Sequence, residues 1–213
     1  MPIAPHRHDR AARLGTMAFG GVLAFALVCL AVQFARGDLD WTTAPLSFYL
    51  VGAYGPLVKA VYVALGAALV ALGFGFRAAR VPERARIAPA LFALGGFALV
   101  VTAFAESAMR SGTASLEARI HGLAAMTAFL SVTLAMLWQS LRLRRDVDWR
   151  ARFPTALPLA VLAFLALLAH AVLRVGPRGV SQKAVIVLIL AWLAIGAWRL
   201  RTAPTRSAPI STA

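Results

Sequence analysis

Ten residues of this chain are of types that could do chemistry: Asp38, Asp40, Ser47, Tyr49, Tyr54, Glu106, His121, His170, Gln182 and Lys183. Ser47 with His121 is the material of a nucleophile and its general base, with Glu106, Asp38 or Asp40 as the orienting acid. His121, His170 and a carboxylate could hold a catalytic zinc, which takes three protein ligands and a water. The two histidines alone, at one depth in a membrane, could be the axial ligands of haem b. Lys183 could pair with an anionic group while Ser47, Tyr49 and His121 hydrogen-bond to it, as in a small ligand site with a few convergent polar groups. Local spacing does not choose among these. There is no HExxH and no GxSxG. Ser47 and Tyr49 stand two apart, so they share a face in an extended segment and not in a helical one. Whatever brings these residues together is the architecture around them.

That architecture is dictated by composition. Of the 213 residues 61% are hydrophobic and 14% charged, with a mean hydropathy of +0.77. Soluble domains are about 45–50% apolar and about 25% charged, so this excess points to a polytopic membrane protein. The net charge of +14 does not point to nucleic acid, because the arginines sit in short clusters between apolar runs and form no continuous basic face. Cys29 is the single cysteine and lies in an apolar run. It allows neither an internal disulfide nor a cysteine-based zinc site.

A spanning helix needs roughly 20 mainly apolar residues. Six segments meet this: about 15–35, 57–76, 88–105, 120–141, 155–173 and 182–200. The first is longer than the apolar region of a signal peptide and is not followed by a small-x-small site, so it is read as an uncleaved span. The fold class is therefore all-α, a six-helix transmembrane bundle spanning residues 15–200. Residues 1–14 form an N-terminal tail, and 201–213, rich in Pro, Ser and Thr, a disordered C-terminal one. Arg7, Arg10 and Arg13, the 77–86 and 142–152 clusters, and Arg199, Arg201 and Arg206 all fall on one side. The positive-inside rule makes that side cytoplasmic and puts both termini there.

Every candidate residue then falls at or near the outer face. Asp38, Asp40, Ser47, Tyr49 and Tyr54 belong to the first outer loop, Glu106 to the second, His121 and His170 to the outer ends of spans four and five, and Gln182 and Lys183 to the start of span six. Pro45 and Pro56 bracket a stretch too short to cross, which suits an interfacial or re-entrant segment over residues 38–56. That segment is expected to form a lid or floor over an outer pocket, with Ser47, Tyr49 and Tyr54 facing its contents.

The stretches LSFYLVGAYGP after span one, HGLAAMTAFLSVTLAML in span four, LRLRRDVDWRARF after it and GVSQK opening span six resemble a prokaryotic six-helix membrane family catalogued as domain of unknown function, number 998. The likeness runs from about residue 15 to 200. It implies marked positions at Ser47, Tyr49, Gly52, Gly55, His121, Gln182 and the basic residue 183. Two departures are visible. FAES stands where the family often has Phe-Pro-x-Asp, with Glu106 roughly at the acid, and Lys183 replaces a commoner arginine, whose bidentate fork a lysine lacks. The resemblance implies no activity.

The expectation is a multi-pass protein of the bacterial cytoplasmic (inner) membrane. Its outer-face cluster would bind a lipid, another amphipathic ligand or a partner protein of a larger membrane complex. A membrane-surface hydrolase, with or without zinc, and a haem b carrier are the alternatives. No resident cofactor is expected under the first reading.

Overall fold

A computed structural model describes residues 6–79, 86–105, 115–146, 149–173 and 176–202, with side chains from residue 9 onward. They form six long helices: α1 (His6–Ala35), α2 (Gly55–Ala78), α3 (Ile87–Phe104), α4 (Leu116–Leu143), α5 (Phe153–Val172) and α6 (Arg178–Arg201). All six are long and apolar enough to cross a membrane, which makes the chain a multi-pass membrane protein in design. No strand occurs among the described residues.

Local chemistry sets the ends. Pro56 occupies the first turn of α2 and Pro154 that of α5, where a missing N–H is no loss. Ser115 caps α4 by accepting the Ala118 N–H at 3.2 Å. That cap starts α4 at Leu116, four residues before the apolar run suggests. Helix α1 begins at His6, inside the expected tail, because no proline or glycine interrupts residues 6–14. The C-terminal tail beyond Thr202 lies outside the described residues.

Each helix packs on its chain neighbours, and α6 closes the ring onto α1. Small residues permit the closest approaches, as expected where lipid offers no hydrophobic drive between helices. The tightest is between α2 and α3. A Cβ on Gly66 would lie 2.7 Å from the Gly96 carbonyl oxygen, and one on Gly96 2.5 Å from that of Gly66. Gly20, by contrast, faces open space. At the end rich in arginine, Trp192 of α6 donates its indole N–H to both Ser140 Oγ (3.0 Å) and the Ala156 carbonyl (3.1 Å). That shared proton ties α4, α5 and α6 together. Toward the opposite end a cavity lies between the helices, and Ser47 of the segment between α1 and α2 lines it.

Candidate functional site

The segment after α1 is built on two acids. Asp40 makes a local turn: its carboxylate accepts the Thr42 backbone N–H (2.9 Å) and the hydroxyls of Thr42 (2.8 Å) and Thr43 (3.0 Å). Its carbonyl takes the Ala44 N–H at 2.8 Å. The Thr42 N–H, then the two hydroxyls, hold this carboxyl below the usual carboxylate range, with a further contribution from Lys183. Asp38 is anchored differently. Arg36 grips it bidentately (2.6 and 2.7 Å) and turns its remaining nitrogen to the carbonyls of Val51 (2.8 Å) and Ala53 (3.1 Å). The arginine thereby clamps both ends of the segment, and it is almost fully buried although it stands at the end of a span.

From Pro45 the chain enters a 3₁₀ turn, Leu46–Leu50. In this conformation Ser47 and Tyr49 do not share a face. Ser47 lines the cavity. Tyr49 is fully buried within the segment, its ring flanked by the Arg36 guanidinium at 6.0 Å and the Lys183 ammonium at 5.8 Å. Burial pushes its phenol above the usual value, with Arg36 opposing. Its hydroxyl has no hydrogen-bond partner among the described residues. Trp41 and Tyr54, by contrast, are half exposed. Tyr54 sits in the left-handed region at φ 66° where the chain turns into α2.

Helix α6 receives this segment as a strap. The Val180 N–H, an otherwise orphaned donor of the first helical turn, goes to the Thr42 carbonyl at 2.9 Å. Gln182 Oε1 accepts the Leu46 N–H at 2.8 Å. Lys183 donates to the carbonyls of Trp41 and of Ala44, the latter at 2.9 Å. Gly179 makes the approach possible, since a Cβ there would stand 2.6 Å from the Thr42 oxygen and 2.7 Å from that of Ala44.

Beneath the strap is a cavity of about 80 Å³, walled by α1, α2, α3, α4 and α6. Its lining is apolar, from Phe25, Leu65, Leu69, Phe129, Ile186 and Leu193 among others, apart from Ser47, Tyr62, Thr102, His121 and Gln182. It extends along α4 from His121 to Val132 and along α6 from Gln182 to Leu193, a rise of ~16 Å at ~1.5 Å per residue. That is about half of a ~30 Å hydrocarbon core. Thr102 uses its hydroxyl on the Ala98 carbonyl, 2.8 Å away. His121, which is 8% exposed, places Nδ1 2.9 Å from the Ala105 carbonyl. Only an N–H can meet a carbonyl, so Nδ1 carries the proton of the neutral ring and Nε2 is an acceptor. Nε2, the Gln182 amide nitrogen and the Ser47 hydroxyl have no partner among the described residues.

The ten expected site residues therefore separate. Ser47, His121 and Gln182 meet at the cavity. Asp38, Asp40, Tyr49 and Lys183 build the strap over it, and Tyr54 turns outward. His170 belongs to neither group: its Nδ1 is 2.8 Å from Ser181 Oγ, and that hydroxyl in turn donates to the Arg178 carbonyl at 3.2 Å. Glu106 lies outside the described residues. The Nδ1–H···O=C arrangement of His121 also orients metal-ligating histidines, yet His170 is not in the cavity wall to supply a second axial ligand. Among the described residues no three His, Cys, Asp or Glu side chains are grouped as a metal site.

Two contributors were missed from sequence. Arg36 stands at the end of span one, with nothing in the local sequence to mark it out from other basic residues there. Tyr62 sits mid-span, where a phenol amid aliphatic neighbours was the available signal.

No curated protein and no solved structure matches the chain. Its residues 19–199 match the family described as Protein of unknown function (DUF998). That match takes in α2 to α5, the C-terminal part of α1, nearly all of α6, the strap and every cavity-lining residue given above, and the chain belongs to this family.

Proposed function

We propose that the bundle binds an amphipathic molecule, with its apolar part in the cavity and its polar part against Ser47, His121 and Gln182. One observation carries this reading: an apolar cavity about one leaflet deep ends in three polar groups whose hydrogen-bonding capacity is not fully used among the described residues. A few convergent polar groups at the end of an apolar concavity are the usual makings of a ligand site. The arginine clusters lie at the opposite end of the bundle, which under the positive-inside rule puts the strap on the outer side and both termini in the cytoplasm. A ligand then sits in the outer leaflet's depth. The strap gives the site a fixed roof, and the bundle acts as a binding or accessory protein of the membrane.

The test is retention of a co-purified amphipath, read by native mass spectrometry after extraction in mild detergent. Wild type should carry one. Ala125→Trp, which fills the cavity from a half-buried position on its wall, should carry none while keeping its thermal midpoint. A lipid-facing control, Leu27→Ala, should behave as wild type. Equal retention by wild type and Ala125→Trp would overturn the reading.

A further inference from the structure

We infer that the ligand of this cavity is an uncharged lipid whose headgroup carries a hydroxyl. The inference rests on the binding role just proposed and names its ligand class.

The charge argument comes from two cations. Arg36 directs its hydrogens to the Asp38 carboxylate and to the carbonyls of Val51 and Ala53. Lys183 directs its own to the carbonyls of Trp41 and Ala44. Both are engaged in holding the strap, and neither lines the cavity. A phosphate or carboxylate headgroup at Ser47, His121 and Gln182 would be desolvated with no opposing charge among the described lining residues, a costly placement. A cationic headgroup fares no better, because the described lining residues include no carboxylate.

The hydrogen-bond argument comes from what the protein itself fixes. The Ala105 carbonyl takes the Nδ1 proton of His121 and leaves Nε2 as an acceptor. The Leu46 N–H takes the Gln182 oxygen and leaves the amide nitrogen as a donor. Ser47 can do either. A hydroxyl is complementary to this set: it donates to His121 and accepts from Gln182. An ester carbonyl without a hydroxyl satisfies Gln182 and leaves His121 unmet.

Three probes of equal chain length separate these arguments: a monoacylglycerol, the lysophosphatidate that differs from it by a phosphate, and the fatty-acid methyl ester. Binding to the full chain in nanodiscs is measured by equilibrium dialysis against empty nanodiscs. The monoacylglycerol should bind at least ~10-fold more tightly than either of the others, the size expected when a buried polar group is left without its partner. His121→Leu should weaken the monoacylglycerol by a similar ~10-fold and leave the methyl ester unchanged. Lysophosphatidate binding equal or tighter overturns the charge argument, and methyl ester binding equal or tighter overturns the hydroxyl argument. Either result leaves the cavity as a binding site, provided Ala125→Trp abolishes it. Binding of all three that survives Ala125→Trp overturns the cavity reading itself.

Discussion

Gln182 Oε1 accepts the Leu46 backbone N–H at 2.8 Å, across 136 positions of chain. This contact holds the strap on α6 together with those of Val180 and Lys183 and, by engaging the amide oxygen, leaves the amide nitrogen as the cavity's donor. Gln182→Leu leaves the Leu46 N–H without a partner, at a cost of about 1–3 kcal/mol. At about 2–4 °C per kcal/mol for a chain of this size, the thermal midpoint in detergent should fall by several degrees. Gln182→Glu keeps an oxygen facing Leu46 and should recover most of the loss. Equal destabilisation by both would show that the hydrogen bond is not what matters there.

Gly179 sets how closely the strap can lie on α6. A methyl group there would stand 2.6 Å from the Thr42 oxygen, too close for contact without moving backbone. Gly179→Ala should therefore destabilise by about 1–3 kcal/mol, as overpacking does. Gly20→Ala, where nothing lies within 4 Å, should stabilise by up to about 1 kcal/mol through helix propensity. Limited proteolysis between residues 38 and 54 gives a second readout. Only Gly179→Ala should speed cleavage.

Much of this organisation was legible in the sequence, and the limits have physical causes. The six spans follow from apolar length alone, so they were readable without any long-range information. The gathering of Ser47, His121 and Gln182 at one end follows from topology once the spans are set. The part played by Lys183 was not readable. Its partners are backbone carbonyls 139 and 142 positions away, and a carbonyl leaves no mark on residue type. The separation of Ser47 from Tyr49 depended on whether LSFYL is extended or helical, which five apolar and aromatic residues do not decide. Asp38 and Asp40 looked like equivalents two apart. One is held by Arg36 and the other by two threonines, and only the fold distinguishes them.

Arg36 makes four hydrogen bonds in three directions, to Asp38 and to two carbonyls. A lysine has no planar fork and cannot reproduce this set. Arg36→Lys should cost about 1.5–3 kcal/mol, the range for hydrogen bonds to charged groups. Asp38→Asn should cost under about 1 kcal/mol, because the Asp38 side chain is 60% exposed and water replaces much of what is lost. The order of the two midpoints checks the assignment: Arg36→Lys must fall below Asp38→Asn. The reverse order would mean that the ion pair, and not the carbonyl clamp, holds the segment.

Asp40 gives the strap a dependence on acid. Its carboxyl is held below the ordinary carboxylate range, first by the Thr42 backbone N–H and then by the Thr42 and Thr43 hydroxyls. The unfolded value is about 3.9. A depressed folded value contributes stability that is fully present above the unfolded one and is lost as pH falls through the folded one. Wild type should therefore exceed Asp40→Asn in thermal midpoint near neutrality, and the gap should begin to shrink below about pH 4. It should close once the carboxyl is protonated in both states. The measurement is the difference between the two midpoints across pH. A difference that stays constant down through the carboxylate range would mean that the charge of Asp40 does not hold the turn. Asp40→Ser then separates shape from charge: it keeps a short acceptor for the Thr42 N–H, and its midpoint should lie between the other two above pH 4 without following their convergence below it.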